Sequence, residues 1–163
     1  MGEPYIRKMT EADKERVLKI YESEINKRKA TFETKVPSWE VWDKRHLKAC
    51  RLVACVDEEV VGWVALSPVS TREAYKGVAE VSIYVDGKHQ GKGIGSLLMS
   101  ALIQMSEEEG FWTLQANIFP TNIESLKLHE KFGFKIVGVR NKIAKLDGVW
   151  KDIVLLERRS EKW

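Results

Sequence analysis

The sequence predicts one α/β (α+β) domain spanning residues 1–163, with a mixed, mostly antiparallel twisted sheet flanked by helices. Three observations predict it. Two β-rich runs, 51–56 and 60–66, are separated only by Asp57-Glu58-Glu59, so the front half holds a hairpin. The back half alternates strand and helix patterns, the signature of a βαβ unit. The length of 163 residues with 44% hydrophobic content suits one core, and folding such a chain buries roughly 70% of its extended surface.

Taken in order, Tyr5 to Lys8 reads as a first strand. Thr10, followed three residues on by Asp13, has near capping-box spacing and opens a helix with Val17, Ile20, Tyr21 and Ile25 on one stripe. The stripe fades at Lys27-Arg28-Lys29, a run expected to be a solvated face. Ser38 caps a second helix, in which Trp39, Trp42, His46 and Ala49 share a packing face. After the hairpin, 67–77 is a polar and aromatic loop. Val78 to Val85 is a strand with Val81, Ile83 and Val85 on one face and Glu80, Ser82 and Tyr84 on the other.

From Ile94 a helix follows, with an apolar stripe of Ile94, Leu97, Leu98, Ala101, Leu102 and Met105, and Gly110 as its stop. Glu107-Glu108-Glu109 at its C-terminal end opposes the helix dipole. Trp112 to Ile118 alternates as a strand, with Thr113, Gln115 and Asn117 on the polar face. Thr121 to Glu124 has capping-box spacing and opens the last helix, with Ile123, Leu126 and Phe132 turned inward and Gly133 as its stop. Phe134–Val139 and Val149–Leu156 are the final strands, joined by a basic loop.

Composition narrows the function. The net charge of +3 is too mild for a nucleic-acid binder and suits a small anionic ligand. No apolar run approaches the ~18 residues of a membrane span, and the polar N-terminal stretch lacks a signal-peptide core. Cys50 and Cys55 make no disulfide framework and read as separate, partly buried thiols. A cytoplasmic protein is expected. No metal is expected either, because His46 has no second ligand at metal spacing.

The chemistry concentrates between Glu80 and Ser96. Gln90-Gly91-Lys92-Gly93-Ile94-Gly95-Ser96 joins a strand to a helix. Glycines let the backbone approach a ligand, and a helix N-terminus presents free N–H groups and a positive dipole end. A phosphate or pyrophosphate site and a plain glycine-rich turn are both open readings of this stretch. The spacing is neither the dinucleotide fingerprint nor the nucleoside-triphosphate loop. By position, Glu80 is either an exposed or ion-paired strand acid or a base held near the bound anion.

The Gln-x-x-Gly-x-Gly pattern at Gln90, Gly93 and Gly95 resembles the pyrophosphate signature of the GNAT acetyl-CoA N-acyltransferases. Within that superfamily the chain is most similar to the phosphinothricin and methionine sulfoximine N-acetyltransferases. The likeness lies in Ala30–Glu33, Arg72–Tyr75, Ala79–Val85, His89–Gly95, Asn122 with Ser125, Leu128–Phe134 and Gly148–Asp152. This resemblance implies a GNAT-type fold with a coenzyme cleft between two splayed central strands. It implies acetyl-CoA as co-substrate, held by Ile83, Tyr84, Val85, Gln90, Gly91, Lys92, Gly93, Ile94, Gly95, Ser96, Asn122 and Lys131. Glu80 would be the general base. Phe32, Ser70, Thr71, Arg72, Tyr75, Glu80, Val81 and Ser82 would line a small amino-acid substrate, with Arg72 as a plausible carboxylate anchor. A homodimer is implied as well.

His129 stands where many of these enzymes place a tyrosine that protonates the departing thiolate. A proton shuttle and a helix histidine that merely hydrogen-bonds nearby are both open. Leu146 stands where relatives tend to have a lysine, which bears on substrate preference. The expected activity is acetyl transfer to the amino group of a phosphinothricin- or methionine sulfoximine-like amino acid. Two alternatives stay open: acetylation of protein or peptide N-termini, and a coenzyme-A-binding module without catalysis.

Overall fold

The structure, a computed structural model, describes residues 2–163. Its elements are β1 (Tyr5–Lys8), α1 (Lys14–Lys27), α2 (Trp39–Arg45), β2 (Leu52–Val56), β3 (Glu59–Pro68), β4 (Val78–Val85), α3 (Ile94–Glu108), β5 (Thr113–Ile118), α4 (Ile123–Lys131), β6 (Lys135–Leu146) and β7 (Val149–Arg159). Short 3-10 turns lie at Glu11–Asp13, just before α1, at Glu73–Tyr75 and at Gly87–His89. The strands form one seven-stranded sheet in the order β1-β2-β3-β4-β5-β7-β6. Neighbours are antiparallel except β4 and β5, which run parallel.

Helices cover both faces, so β2 and the buried middle of β3, from Val60 to Leu66, are apolar throughout rather than alternating. On one face α3 packs Ile94, Leu98, Met99, Leu102 and Ile103 against Leu52, Ala54, Val64 and Leu66. On the other face Val17, Ile20, Tyr21 and Ile25 of α1 and Trp42 of α2 cover Val53, Cys55, Trp63 and Ala65. A register shift between Ala54 and Cys55 lets both sets of side chains reach their own face. Cys50 and Cys55 are both buried free thiols.

Several local expectations are revised. Helix α2 ends at Arg45; His46 is already extended, and Ala49 lies outside the helix. The Ser38 cap is as expected, with Oγ accepting the Val41 N–H at 3.3 Å. In α3, Leu97 is exposed, while Met99 and Ile103 join the buried stripe. The cap of α4 is Asn122, not Thr121: its Oδ1 accepts the Ser125 N–H at 3.3 Å, and Ile123 points outward, 52% exposed.

The basic loop expected after Val139 is strand. β6 runs on to Leu146 and turns tightly at Asp147-Gly148, both at positive φ. Strand pairing with β7 satisfies that backbone, which residue composition alone does not reveal. Arg28 is not simply solvated: it ends α1 in the left-handed conformation and pairs with Asp147 at 3.1 Å.

The acidic end of α3 finds partners. Glu107 accepts the Ser160 hydroxyl and pairs with Arg158 at 3.7 Å. Carboxylates misplaced on a helix dipole cost about 0.3–1 kcal/mol each, whereas each fully buried side chain such as Leu98 or Leu102 contributes about 1.5–3 kcal/mol. The buried face therefore decides that this segment is helical.

Candidate active site

Strands β4 and β5 pair only from Val78–Thr113 to Glu80–Gln115. Beyond that point both continue, to Val85 and to Ile118, without pairing to each other. The gap leaves the backbone N–H and C=O groups of 81–85 that point away from β3 facing an open cleft, where a ligand can take the place of a strand. One cavity, of about 530 Å³, fills the cleft between β4, the glycine loop and α4.

The glycine loop shapes the wall of this cavity. Gly91 and Gly93 adopt φ of 75° and 81°, a conformation that only residues without a Cβ adopt freely. Gly95 serves a different need: a Cβ there would lie 3.3 Å from Leu128 Cδ2, so its absence lets α3 and α4 approach. The N-terminus of α3 thereby opens onto the cavity with its unsatisfied N–H groups and positive dipole end.

Gln90 braces the loop. Its Nε2 donates to the Val85 carbonyl at 3.2 Å and to Glu24 Oε1 at 3.1 Å. Glu24, a buried carboxylate on α1, was not singled out from sequence, because nothing local marks it. Lys131 Nζ donates to Ser96 Oγ at 3.1 Å, closing the rim between α4 and the loop.

A second cavity, of about 500 Å³, lies on the α1–α2 side of the sheet. The two cavities share Ala30, Val81, Ser82, Tyr84 and Asn117, so they meet at the point where β4 and β5 part. Glu80 lines the second one. Its Oε1 accepts Asn117 Nδ2 at 2.8 Å and Gln115 Nε2 at 3.3 Å, both from the polar face of β5. No cation is paired with Glu80 among the described residues.

Aromatic side chains build the rest of that cavity. Phe32 meets Phe119 edge-on, with centroids 4.9 Å apart. Trp42 stacks between Trp39 and His46, at 4.8 and 4.1 Å. Burial holds the His46 imidazole below its usual pKa, and pushes the phenols of Tyr21 and Tyr84 up, so all three are neutral.

His129 is buried on α4 and lines the first cavity. Its Nδ1 lies 2.7 Å from the Ser125 carbonyl, which can only accept, so Nδ1 carries the hydrogen. Burial holds the pKa below the ordinary value, leaving the ring neutral with a lone pair on Nε2. That atom is buried and has no hydrogen-bond partner. In this tautomer Nε2 accepts a hydrogen bond; it has no proton to give a departing thiolate.

The expected site residues sort by place. Ile83, Tyr84, Val85, Gln90, Gly91, Gly93, Ile94, Gly95, Ser96, Asn122, His129 and Lys131 line the first cavity. Phe32, Glu80, Val81, Ser82 and Tyr84 line the second. Lys92 is exposed and lines neither. Ser70, Thr71, Arg72 and Tyr75 also line neither; Arg72 sits over the Tyr75 ring, 5.7 Å from its centroid, outside both cavities. Asn117 and Arg140 were missed. Asn117 shares the polar face read from the alternation of β5, a usable signal. Arg140 lay in what reads as a loop, where no periodicity marks it.

Residues 15–134 match the Acetyltransferase (GNAT) family. The chain belongs to that family. YwnH of Bacillus subtilis (strain 168), provisionally named a phosphinothricin acetyltransferase, is 37% identical over 151 residues, covering 90% of this chain and 93% of that protein. A phosphinothricin acetyltransferase of Sinorhizobium meliloti, crystallised with acetyl-CoA, superposes with a TM-score of 0.87 at 28% identity, over 96% of this chain and 88% of that one. A ribosomal-protein-alanine N-acetyltransferase from Brucella melitensis superposes with a TM-score of 0.90 at 28% identity, over 96% and 99%.

This GNAT protein is thus an acetyl-CoA-dependent N-acetyltransferase, and its splayed β4–β5 cleft is the GNAT fold's own. The residues present suit that co-substrate: helix-terminal N–H groups for a pyrophosphate, an unpaired strand edge for amide groups, and an unpartnered buried acceptor at His129. Among the described residues, no group of three or more His, Cys, Asp or Glu is placed to hold a metal ion, and no helix is long and apolar enough to cross a membrane.

Proposed function

We propose that this GNAT enzyme transfers the acetyl group of acetyl-CoA directly to the amino group of a small amino acid of the phosphinothricin or methionine sulfoximine type. The observation that supports it is the meeting of two cavities through the β4–β5 gap, with Glu80 on the far side from the coenzyme loop. Acetyl-CoA enters from the α3–α4 side and the amine from the α1–α2 side.

Glu80 then serves as general base. An α-amino group has a reference pKa of about 8, so about a tenth is free base near pH 7, and a positioned carboxylate raises the reactive fraction during attack. Asn117 and Gln115 hold one carboxylate oxygen and leave the other for the ammonium proton. The amine nitrogen forms the new N–C bond as the C–S bond breaks. Backbone N–H groups of the unpaired β4 edge would polarise the thioester carbonyl. The thiolate takes up a proton from solvent, matching the one that Glu80 releases, while His129 Nε2 accepts a hydrogen bond from the coenzyme. Direct transfer fits the cysteines: neither lines a cavity, and burial pushes the Cys50 thiol up to about 12.

Acetylation of a protein N-terminus is the second reading, favoured by the superposition on a ribosomal-protein-alanine enzyme. The packing around the second cavity weighs against it. The Arg28–Asp147 ion pair ties the end of α1 to the β6–β7 turn, and Phe32 packs on Phe119 in the cavity wall. A peptide chain needs an open groove there. The exposed apolar strip of Ile136, Val137 and Val139 on the unpaired edge strand β6 supports a homodimer, and the free thiols suit the cytoplasm.

A thiol-release assay with acetyl-CoA tests this function. Turnover of phosphinothricin, methionine sulfoximine or methionine sulfone is expected. Turnover of peptides alone, or of no amine, overturns it.

A further inference from the structure

Arg140 is the most conspicuous side chain that the mechanism leaves unused. It lies on β6 and lines the rim of the second cavity. No hydrogen bond or ion pair ties it to another described residue. The other arginine of that cavity, Arg45, is already paired with Glu33 at 3.0 Å. Leu146, further along the same strand, is buried against Phe119 and Ile153 and offers no charge. Arg140, exposed at the rim, is thus the one arginine lining this cavity that no described carboxylate pairs with.

Local backbone irregularity puts it there. Residues 140–144 of β6 oppose only residues 151–153 of β7, so β6 bulges. Lys142, at the bulge, takes a left-handed φ of 48°, and its N–H donates to Asp152 Oδ1 at 2.8 Å. In regular alternation Arg140 and Ile143 would face opposite sides of the sheet. The bulge brings Arg140, Ile143 and Ala144 to the same cavity.

Strand register sets the span. Asn117, which holds Glu80, lies opposite Leu155, and Arg140 lies opposite Ile153. With β7 between them, the two backbones are roughly 12 Å apart, from about 10 Å across the strands and about 7 Å along them. The long arginine side chain and the Asn117–Glu80 hydrogen bond narrow that gap to the scale of one small amino acid.

We propose that Arg140, presented by the Asp152-pinned bulge, binds the oxygen-bearing group at the far end of the substrate side chain while Glu80 receives its amine. This rests on the amino-acid acetyltransferase reading above. A planar guanidinium suits such a group, because it donates two parallel hydrogen bonds to a phosphinate or to paired oxygens.

The test compares kcat/KM for phosphinothricin and for methionine sulfone with that for methionine, which lacks the oxo group. Hydrogen bonds to a charged group are worth about 1.5–3 kcal/mol, or roughly 10- to 100-fold. Arg140→Gln is expected to cut the preference for the oxo substrates by about that factor, and Arg140→Lys by less.

As a positioning residue, Asp152 should split the same way. Asp152→Ala lowers the preference while keeping kcat on methionine, and Asp152→Asn, which keeps an acceptor for the Lys142 N–H, restores it. A preference within twofold of wild type in Arg140→Gln overturns the assignment. An equal loss on all substrates in Asp152→Ala overturns the pinning role. Failure of the wild-type protein to acetylate any of these amino acids instead defeats the parent reading, and Arg140 with it.

Discussion

Replacing Glu80 by glutamine keeps the shape of the side chain and removes its charge. The glutamine carbonyl oxygen can still accept Asn117 Nδ2 and Gln115 Nε2, which now lie 2.8 and 3.3 Å from Glu80 Oε1. Glu80 sits on the polar face of β4, outside the buried set, so the fold has little to lose. What disappears is a carboxylate of the second cavity that no cation pairs with among the described residues, whereas Glu33 there is held by Arg45 and Glu24 in the first cavity by Lys27.

A general base contributes about 10²–10⁴-fold, so kcat at pH 7 should fall by that factor with the melting temperature nearly unchanged. Because the amine must then lose its proton to water, the variant's rate should climb about tenfold per pH unit until the amine's own pKa near 8. Steady-state thiol release at pH 6–9, beside a melting curve, reads both. A Glu80→Gln protein with wild-type kcat at pH 7 and the wild-type pH profile would refute the base role and leave Glu80 an ordinary strand acid.

Other expectations follow from the same structure. Gly93→Val forces a β-branched side chain into φ of 81°; a Cβ there touches nothing, so the cost is conformational, about 1–2 kcal/mol. Its KM for acetyl-CoA should rise roughly tenfold as the amide cradle distorts, with Gly93→Asn milder because asparagine adopts that region more easily; equal effects of both would point to sterics instead. Both His46 and His129 are held below the ordinary histidine value of 6.5 by burial. The unfolded chain therefore binds protons that the folded chain does not. Their contribution to stability is complete above pH 6.5 and is lost as the pH falls through their folded values. Melting temperature should be flat from pH 8 to 7 and decline below 6.5, less steeply in His129→Gln. A flat profile down to pH 5 would contradict the buried neutral state.

Much of the fold was legible because periodicity survives wherever a face is buried. The α1 stripe of Val17, Ile20, Tyr21 and Ile25 is buried as read. The alternation of β4 put Glu80 and Ser82 together on the polar face, and both line the second cavity. Errors fell where tertiary partners override local signals. Leu97 reads as core by hydrophobicity and is exposed, because the sheet meets α3 about one position round. The 140–148 segment reads as a loop by its charge, yet β7 supplies its strand partner.

By itself the sequence determined most of the elements and the glycine-rich turn between β4 and α3, since each depends on residues close in the chain. The family likeness carried the chemistry further, to an acetyl donor and an acid at Glu80. Tertiary structure alone decided how the substrate side is built. Glu24 under Gln90, Asn117 on Glu80 and Arg140 on its bulge come from distant parts of the chain. The parting of β4 from β5 decides that two cavities meet at all, because pairing that stops after Glu80–Gln115 is a property of the assembled sheet and not of either strand.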